Sequence, residues 1–316
     1  MPVISKPFNF PPAHELKRSD ITTITKLGEG NFGSVEKAKL RNLGGQPGAI
    51  EVAVKYLKLE EEAAEEKEIF DKELKVASSI EYHPNVITFI GFVTVEDPML
   101  LVFEFAKQGE LLNYLRERKD NGISQDKLVK FTLDVANGMS YLSSKAIIHR
   151  DLAARNILVS GDTCKISDFG FSRLGEIYVK MSKDGIPIFW TAPECLVAKG
   201  AKYNTKTDVW SYGVLMWEIM SLGERPYSSG LKDRIKQYLE GGGRLTKPKG
   251  CPDNIYEVMK KCWQLNQNDR PTFRRLANEI DAIHCDLTDQ DDYEVVEVGA
   301  QLPAVDGYDD ITVHIP

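Results

Sequence analysis

Residues 149 to 156 read His149-Arg150-Asp151-Leu152-Ala153-Ala154-Arg155-Asn156, and twelve residues after Asn156 comes Asp168-Phe169-Gly170. One short stretch therefore holds a carboxylate, a guanidinium and an amide, with a second carboxylate close behind. The apolar run Ile157-Leu158-Val159 reads as a strand that would anchor them. Such a set suits a phosphate, because phosphoryl transfer asks for positioning and charge neutralisation more than covalent work. Asp151 can accept a hydroxyl proton. Asn156 and Asp168 offer the hard oxygen donors that an octahedral divalent ion prefers over His or Cys.

The elements that must position these groups lie mostly upstream. Residues 21 to 27 alternate apolar and polar side chains, then meet Gly28-Glu29-Gly30-Asn31-Phe32-Gly33, and residues 35 to 40 again read as a strand. This is a glycine-rich hairpin. Dinucleotide-binding folds use G-x-G-x-x-G too, but there the last glycine opens a helix, and here a strand follows. Val52-Ala53-Val54-Lys55 is an apolar strand ending in a lysine, which must be paired or lose hydration energy. The helical segment 60 to 80 offers many glutamates, and Glu73 is singled out by the stripe of Phe70, Leu74 and Ala77 beside it. Strand-like runs at 86 to 93 and 99 to 105 precede Lys107-Gln108-Gly109 and a helix at 111 to 118. Leu128, Phe131, Val135, Met139 and Leu142 then recur at helical spacing and deliver the chain to residue 149.

Taken together, H-R-D-L-x-x-x-N, D-F-G and Ala192-Pro193-Glu194, with the glycine hairpin running to Val35 and V-A-V-K ending at Lys55, resemble the protein kinases. The resemblance implies an α+β, two-lobed protein kinase fold, with an antiparallel N-lobe sheet plus one helix and a mostly helical C-lobe. It implies ATP as phosphate donor with Mg2+, Mn2+ being an alternative ion. By the same resemblance, Asp151 takes or orients the hydroxyl proton, Arg155 offsets charge, and Asn156 and Asp168 hold the metal. Lys55 holds the α and β phosphates and Glu73 holds Lys55. Leu27, Gly28, Glu29, Gly30, Asn31, Phe32, Gly33 and Val35 close over the nucleotide, and Ala53 and Leu158 sandwich the base. Glu104, Phe105 and Ala106 form the hinge, with Phe103 guarding the rear of the pocket. Three positions depart from the family pattern: Ala77, where a larger aliphatic is usual, Phe189, where Lys or Arg is usual, and Phe171, where Leu is commoner. The Phe103 ring is expected to fill the space that Ala77 leaves.

Serine/threonine kinases of this resemblance place a lysine two residues after the catalytic Asp, whereas this chain has Ala153 there and its cation at Arg155. That form, with Gly185-Ile186-Pro187-Ile188-Phe189-Trp190-Thr191 before Ala192, is similar to animal-type tyrosine kinases. Tyr178 is the single tyrosine between Gly170 and Ala192, at the family's activating phosphorylation position, with Arg150 and Arg173 as anchors for its phosphate. The resemblance also makes Asp208 a brace for the catalytic loop and pairs Arg270 with Glu194. Two other readings stand beside this one: a catalytically silent kinase-fold scaffold, and a serine/threonine or dual-specificity enzyme.

The bounds from the whole chain agree with an enzyme domain. Its 316 residues are 42% hydrophobic and 28% charged, enough to bury a large core. No apolar run reaches the roughly 18 residues needed to cross a bilayer, and residues 1 to 12 lack the apolar segment of a signal peptide. Five scattered cysteines without a C-x-x-C pair read as reduced thiols. The net charge of −7 is concentrated in residues 286 to 316, which carry nine Asp or Glu and no Lys or Arg, so the remainder is close to neutral and nucleic acid is not an expected partner. The expected divisions are a juxtamembrane-like flank at 1 to 17, a kinase domain at 18 to 285 with its lobes meeting near 105 and 106, and an acidic tail at 286 to 316. Tyr293 and Tyr308 in that tail, each among acids with an apolar residue three later, are expected docking sites for phosphotyrosine-reading modules. Protein substrates bearing tyrosine are the implied partners. The expected location is cytoplasmic, either free or at the inner face of the plasma membrane as part of a receptor.

Overall fold

The computed structural model describes residues 12–30, 33–45, 47–56, 63–169, 172–174, 177–179, 187–197 and 200–297. Its first part is a six-stranded sheet built from β1 (His14–Glu15), β2 (Ile21–Gly30), β3 (Gly33–Arg41), β4 (Ala49–Tyr56), β5 (Phe89–Val93) and β6 (Leu100–Glu104), with one helix, α1 (Ala63–Ser78). The strand order is β1-β5-β6-β4-β3-β2. Five strands pair antiparallel, as the sequence predicts. The sixth was not foreseen: β1 joins the edge parallel to β5, with His14 opposite Gly91. A side chain at Gly91 would sit 2.5 Å from the His14 carbonyl, so only glycine admits this strand. The sheet thus begins four residues before the boundary read at residue 18.

Alternation along β4 decides which side chains reach the cleft. Val52 and Val54 are fully buried against Ala38, Leu40, Ile90 and Val102 on one face. Ala53 and Lys55 therefore share the other face, since successive strand residues point to opposite sides. The register sets Val35 and Leu101 opposite Lys55, and Phe103 opposite Ala53. Against this same face α1 packs Phe70 and Ala77, in a cluster with Phe89 and Leu101.

The second part is mostly helical: α2 (Leu111–Glu117), α3 (Gln125–Ser144), α4 (Thr205–Met220), α5 (Ile235–Glu240), α6 (Asp253–Cys262) and α7 (Phe273–Glu297). Three small two-stranded ladders join them: β7 (Ile147–Ile148) with β10 (Arg173–Leu174), β8 (Ile157–Ser160) with β9 (Thr163–Ile166), and β11 (Ile177–Val179) with β12 (Ala201–Tyr203). The α3 stripe of Leu128, Phe131, Val135, Met139 and Leu142 is buried throughout. So is nearly all of α4, which starts earlier than its apolar core because Asn204 caps it, accepting from Lys206 N–H at 2.8 Å while Thr207 Oγ1 answers the Asn204 N–H. The last helix, α7, runs past residue 285 into the segment read as tail. Two lobes around one cleft, α+β overall, is the architecture that the resemblance implies. Among the described residues, no helix is long and apolar enough to cross a membrane.

Candidate active site

The cleft between the lobes is closed at its inner end by one cation. Lys55 Nζ donates to both Glu73 carboxylate oxygens, at 2.7 and 2.9 Å, and to Asp168 Oδ1 at 3.2 Å. Burial by itself would lower the Lys55 pKa, but the charges of Glu73 and Asp168 outweigh it and hold the ammonium above its ordinary value. Lys55 is thus charged, braced by a helix and a strand end, and turned toward the cleft.

The loop of residues 149 to 156 is folded by hydrogen bonds from Asp208 and from within itself. Asp208, 1% exposed at the start of α4, receives the backbone N–H of His149 at 2.8 Å and of Arg150 at 2.9 Å. Burial raises the Asp208 pKa, against the pull of His149 and of these two donors. Asp151 N–H donates to His149 Nδ1 at 3.3 Å, which leaves Nε2 as the protonated nitrogen that donates to the Ser167 carbonyl at 3.0 Å. The His149 ring also packs 5.8 Å from that of Phe169, which is 1% exposed. Arg150 and Asp168 both hold φ in the left-handed region, at 72° and 60°. Neither is glycine, so each conformation costs about 1 to 3 kcal/mol, the kind of strain that collects where side chains must be aimed.

Asn156 ties the loop to its carboxylate. Its Nδ2 donates to the Asp151 carbonyl at 2.7 Å and to Asp151 Oδ2 at 2.8 Å. Arg155 ion-pairs with the other carboxylate oxygen of Asp151 and lays its guanidinium 4.8 Å above the Trp190 ring. Ser167, directly before Asp168, donates to the Asn156 carbonyl from both its N–H and its hydroxyl, each at 2.9 Å. Residues 55, 73, 151, 155, 156 and 168 are therefore one connected group.

A divalent ion fits this donor set. Both bonds of the Asn156 amide use its nitrogen, so Oδ1, which accepts nothing among the described residues, is available to a cation, for which Asp168 offers a carboxylate oxygen. Among the described residues no group of three or more His, Cys, Asp or Glu is gathered to hold a metal by itself. Two protein oxygens make a partial shell of the kind Mg2+ completes with water and phosphate oxygens.

The connector after β6, the expected hinge, is strapped to β8. Gln108 N–H donates to the Val159 carbonyl at 3.2 Å, and Val159 N–H to the Gly109 carbonyl at 2.8 Å, which sets Leu158 of β8 beneath it. Glu104 turns its carboxylate inward, Oε1 accepting from Thr88 N–H, Thr88 Oγ1 and Lys165 Nζ at 2.8, 2.7 and 2.8 Å. Phe105 carries Lys37 over its ring at 4.4 Å, and Ala106 is buried. Phe103 packs 5.2 Å from Phe89 and against the cluster that contains Ala77.

Over the cleft, Leu27 is 47% exposed and Gly28 pairs with Val35, while Glu29, Gly30 and Gly33 continue the two strands. Asn31 and Phe32 at the hairpin tip lie outside the described residues, as do Gly170, Phe171 and Tyr308. Tyr178 is known by its backbone in β11, opposite Lys202, and Arg173 by its backbone in β10, opposite Ile148. The Arg150 guanidinium lies 4.7 Å from the Tyr203 ring. Tyr293 falls in α7. Sequence reasoning missed Lys165 and Thr88 as partners of Glu104, since neither has a motif around it. It also missed Glu218, which lies among apolar residues.

Relatives carry the same segment. The chain is 41% identical to the tyrosine-protein kinase Fer of Rattus norvegicus over 277 residues, covering 86% of this chain and 32% of that protein. It is 38% identical to the tyrosine kinase receptor Cad96Ca of Drosophila melanogaster over 284 residues, 85% of this chain and 36% of that protein. With the angiopoietin-1 receptor of Danio rerio the identity is 40% over 289 residues, 87% of this chain and 25% of that protein. The chain thus spans between a quarter and about a third of the length of these curated relatives. The family model for protein tyrosine and serine/threonine kinases matches residues 21–280, from β2 into α7, and by that match the chain belongs to this ATP- and divalent-metal-using family of protein-modifying enzymes.

Proposed function

We propose that this chain is a protein tyrosine kinase, transferring the γ-phosphoryl group of ATP to tyrosine hydroxyls of protein substrates with Mg2+ as the working ion. The observation that carries the reading is the Asp151 carboxylate, held by Asn156 on one oxygen and by Arg155 on the other, at the mouth of a cleft whose inner end holds Lys55. Asp151 accepts the phenol proton, or orients it so that the phenol oxygen faces the phosphorus. Arg155 offsets negative charge at the transferring group, and Lys55, kept in place by Glu73, holds the non-transferred phosphates. Asn156 Oδ1 and Asp168 would hold the ion, which when bound neutralises phosphate charge. Ala53, Leu158 and Val35 enclose the base, the backbone of Glu104 to Ala106 recognises its edge, and the glycine hairpin covers the phosphates.

Tyrosine is favoured over serine by Arg155 stacked on Trp190, in place of a lysine two residues after Asp151, and by relatives named as tyrosine kinases. Phosphate at Tyr178 would add nearly two negative charges, for which Arg150 and Arg173 are the candidate anchors, and raise activity. Tyr293 and Tyr308, once phosphorylated, would dock phosphotyrosine-reading modules. The cysteines are free thiols, four of them buried, which fits a reducing compartment such as the cytoplasm, at the membrane's inner face if the parent is a receptor. Mass spectrometry of the protein incubated with MgATP tests the reading: phosphate on Tyr178 and no phosphoserine is expected, and an unmodified chain contradicts it.

A further inference from the structure

Beneath the catalytic loop lies a carboxylate that none of these roles uses. Glu218, near the end of α4, is 2% exposed, between the buried Trp217 and Ile219. Its Oε2 accepts from the Ala154 N–H at 2.9 Å and from the Trp190 indole N–H at 2.8 Å. One oxygen thereby ties the catalytic loop to the segment before Ala192-Pro193-Glu194. The Trp190 backbone is held too: its amide N–H donates to the Pro187 carbonyl at 2.9 Å, and its carbonyl accepts from Ser211 Oγ at 2.8 Å. Arg155 rests on its ring, and Arg155 in turn grips Asp151.

A carboxylate at this depth is costly to the fold. Burial pushes the Glu218 carboxyl up to about 7 despite its two donors and the nearby Arg155 and Arg116. A helix that only had to be buried would be served better by an apolar side chain of similar volume. What the carboxylate supplies is orientation, because its acceptor oxygen is aimed at two donors from segments far apart in sequence.

We propose that Glu218 is a positioning residue for phosphoryl transfer: it fixes the Trp190 indole and the Ala154 amide, and through them the guanidinium of Arg155 and the carboxylate of Asp151. The inference rests on the tyrosine kinase reading and adds a residue that touches neither nucleotide nor phenol. Misplacing reacting groups by about an ångström costs on the order of a hundredfold in rate, so loss of this tie acts on turnover more than on nucleotide binding.

The test uses the full chain carrying Glu218→Leu, Trp190→Phe or both, with Glu218→Gln, which keeps an acceptor oxygen at the same place, as the conservative variant. In steady-state phosphorylation of a tyrosine peptide, Glu218→Leu lowers kcat about tenfold or more with KM for ATP within about twofold of the parent, and Glu218→Gln restores most of that loss. Trp190→Phe, which keeps an aromatic face but loses the indole N–H, gives a similar loss, and the double variant with Glu218→Leu loses no more than the worse single one. Hydrogen exchange supplies a readout independent of activity: amides of 151–156 and 188–191 exchange faster in Glu218→Leu, those of β8 do not. Two results overturn the proposal: Glu218→Leu and Trp190→Phe variants that retain the parent's kcat while melting earlier, and losses that add in the double variant. If Glu218→Leu does not fold, Trp190→Phe decides by the same criteria. A parent that labels no tyrosine peptide contradicts the kinase reading, while the exchange pattern still decides whether Glu218 holds the loop.

Discussion

Lys55 and Glu73 meet through both carboxylate oxygens, 2.7 and 2.9 Å from one ammonium, across the gap between β4 and α1. The pair is nearly dry, the Lys55 side chain being 16% and that of Glu73 5% exposed. An ion pair so placed contributes little net stability, yet removing one member leaves the other short of a partner at a cost of about 3 kcal/mol. Lys55→Met is therefore expected to lose phosphoryl transfer and to unfold about 3 kcal/mol more easily in urea. Unchanged denaturation would show that Glu73 is not held by Lys55.

The Phe103 ring, 5.2 Å from Phe89, packs against the cluster of Phe70, Ala77, Phe89 and Leu101 behind the cleft. Truncation to alanine opens a cavity costing about 3 kcal/mol. Ala77→Leu in the parent should overpack the same space and destabilise by about 1 to 3 kcal/mol, whereas in the Phe103→Ala background it should restore stability. Additive losses in that double-mutant cycle, followed by thermal melting, would mean the two side chains do not share one space.

Arg270 has no exposed side-chain surface and meets Glu194 through two bonds, at 2.6 and 2.9 Å. Its guanidinium also donates to the carbonyls of Gln264, Lys206 and Leu265, at 2.9, 3.0 and 3.3 Å. Glu194→Ala strands the cation where water cannot reach it, for a loss of about 3 to 5 kcal/mol. A melting temperature equal to the parent's would refute this.

Glu218 also makes stability depend on pH. Its carboxyl, ordinarily near 4.5, is raised to about 7 in the folded chain, so over that window the folded state holds a proton that the unfolded state has released. Its contribution is thus neutral below about pH 4.5, increasingly unfavourable up to about pH 7, and constant above, reaching roughly 3 kcal/mol. Glu218→Gln removes this dependence. The difference in unfolding free energy between variant and parent should shift by about 3 kcal/mol in the variant's favour from pH 4.5 to pH 8. A difference flat in pH would contradict the burial argument.

The cleft-facing side of β4 was legible because period-2 alternation has one physical cause, and Glu73 because the apolar stripe on α1 orients the helix around it. The catalytic loop was legible as a motif, and its internal bonds follow from residues at most five apart. Beyond that reach sequence signals fade. The two-residue strand β1 has no periodicity to read, and its parallel pairing is decided at Gly91, 77 residues from His14. Lys165 reaches Glu104 across 61 residues, and Glu218 reaches Ala154 across 64. In the sequence, Glu218 is one charge interrupting an apolar run, and only the packed structure supplies its donors.

The most direct measurement is transfer of labelled γ-phosphate from MgATP to a peptide with one tyrosine, by the parent chain and by Asp151→Asn. The expected result is label on tyrosine with the parent and a loss of at least a thousandfold or so with Asp151→Asn, nucleotide affinity being retained. Equal transfer by both, or label on serine alone, would contradict the assignment of Asp151 and its cleft to tyrosine phosphorylation.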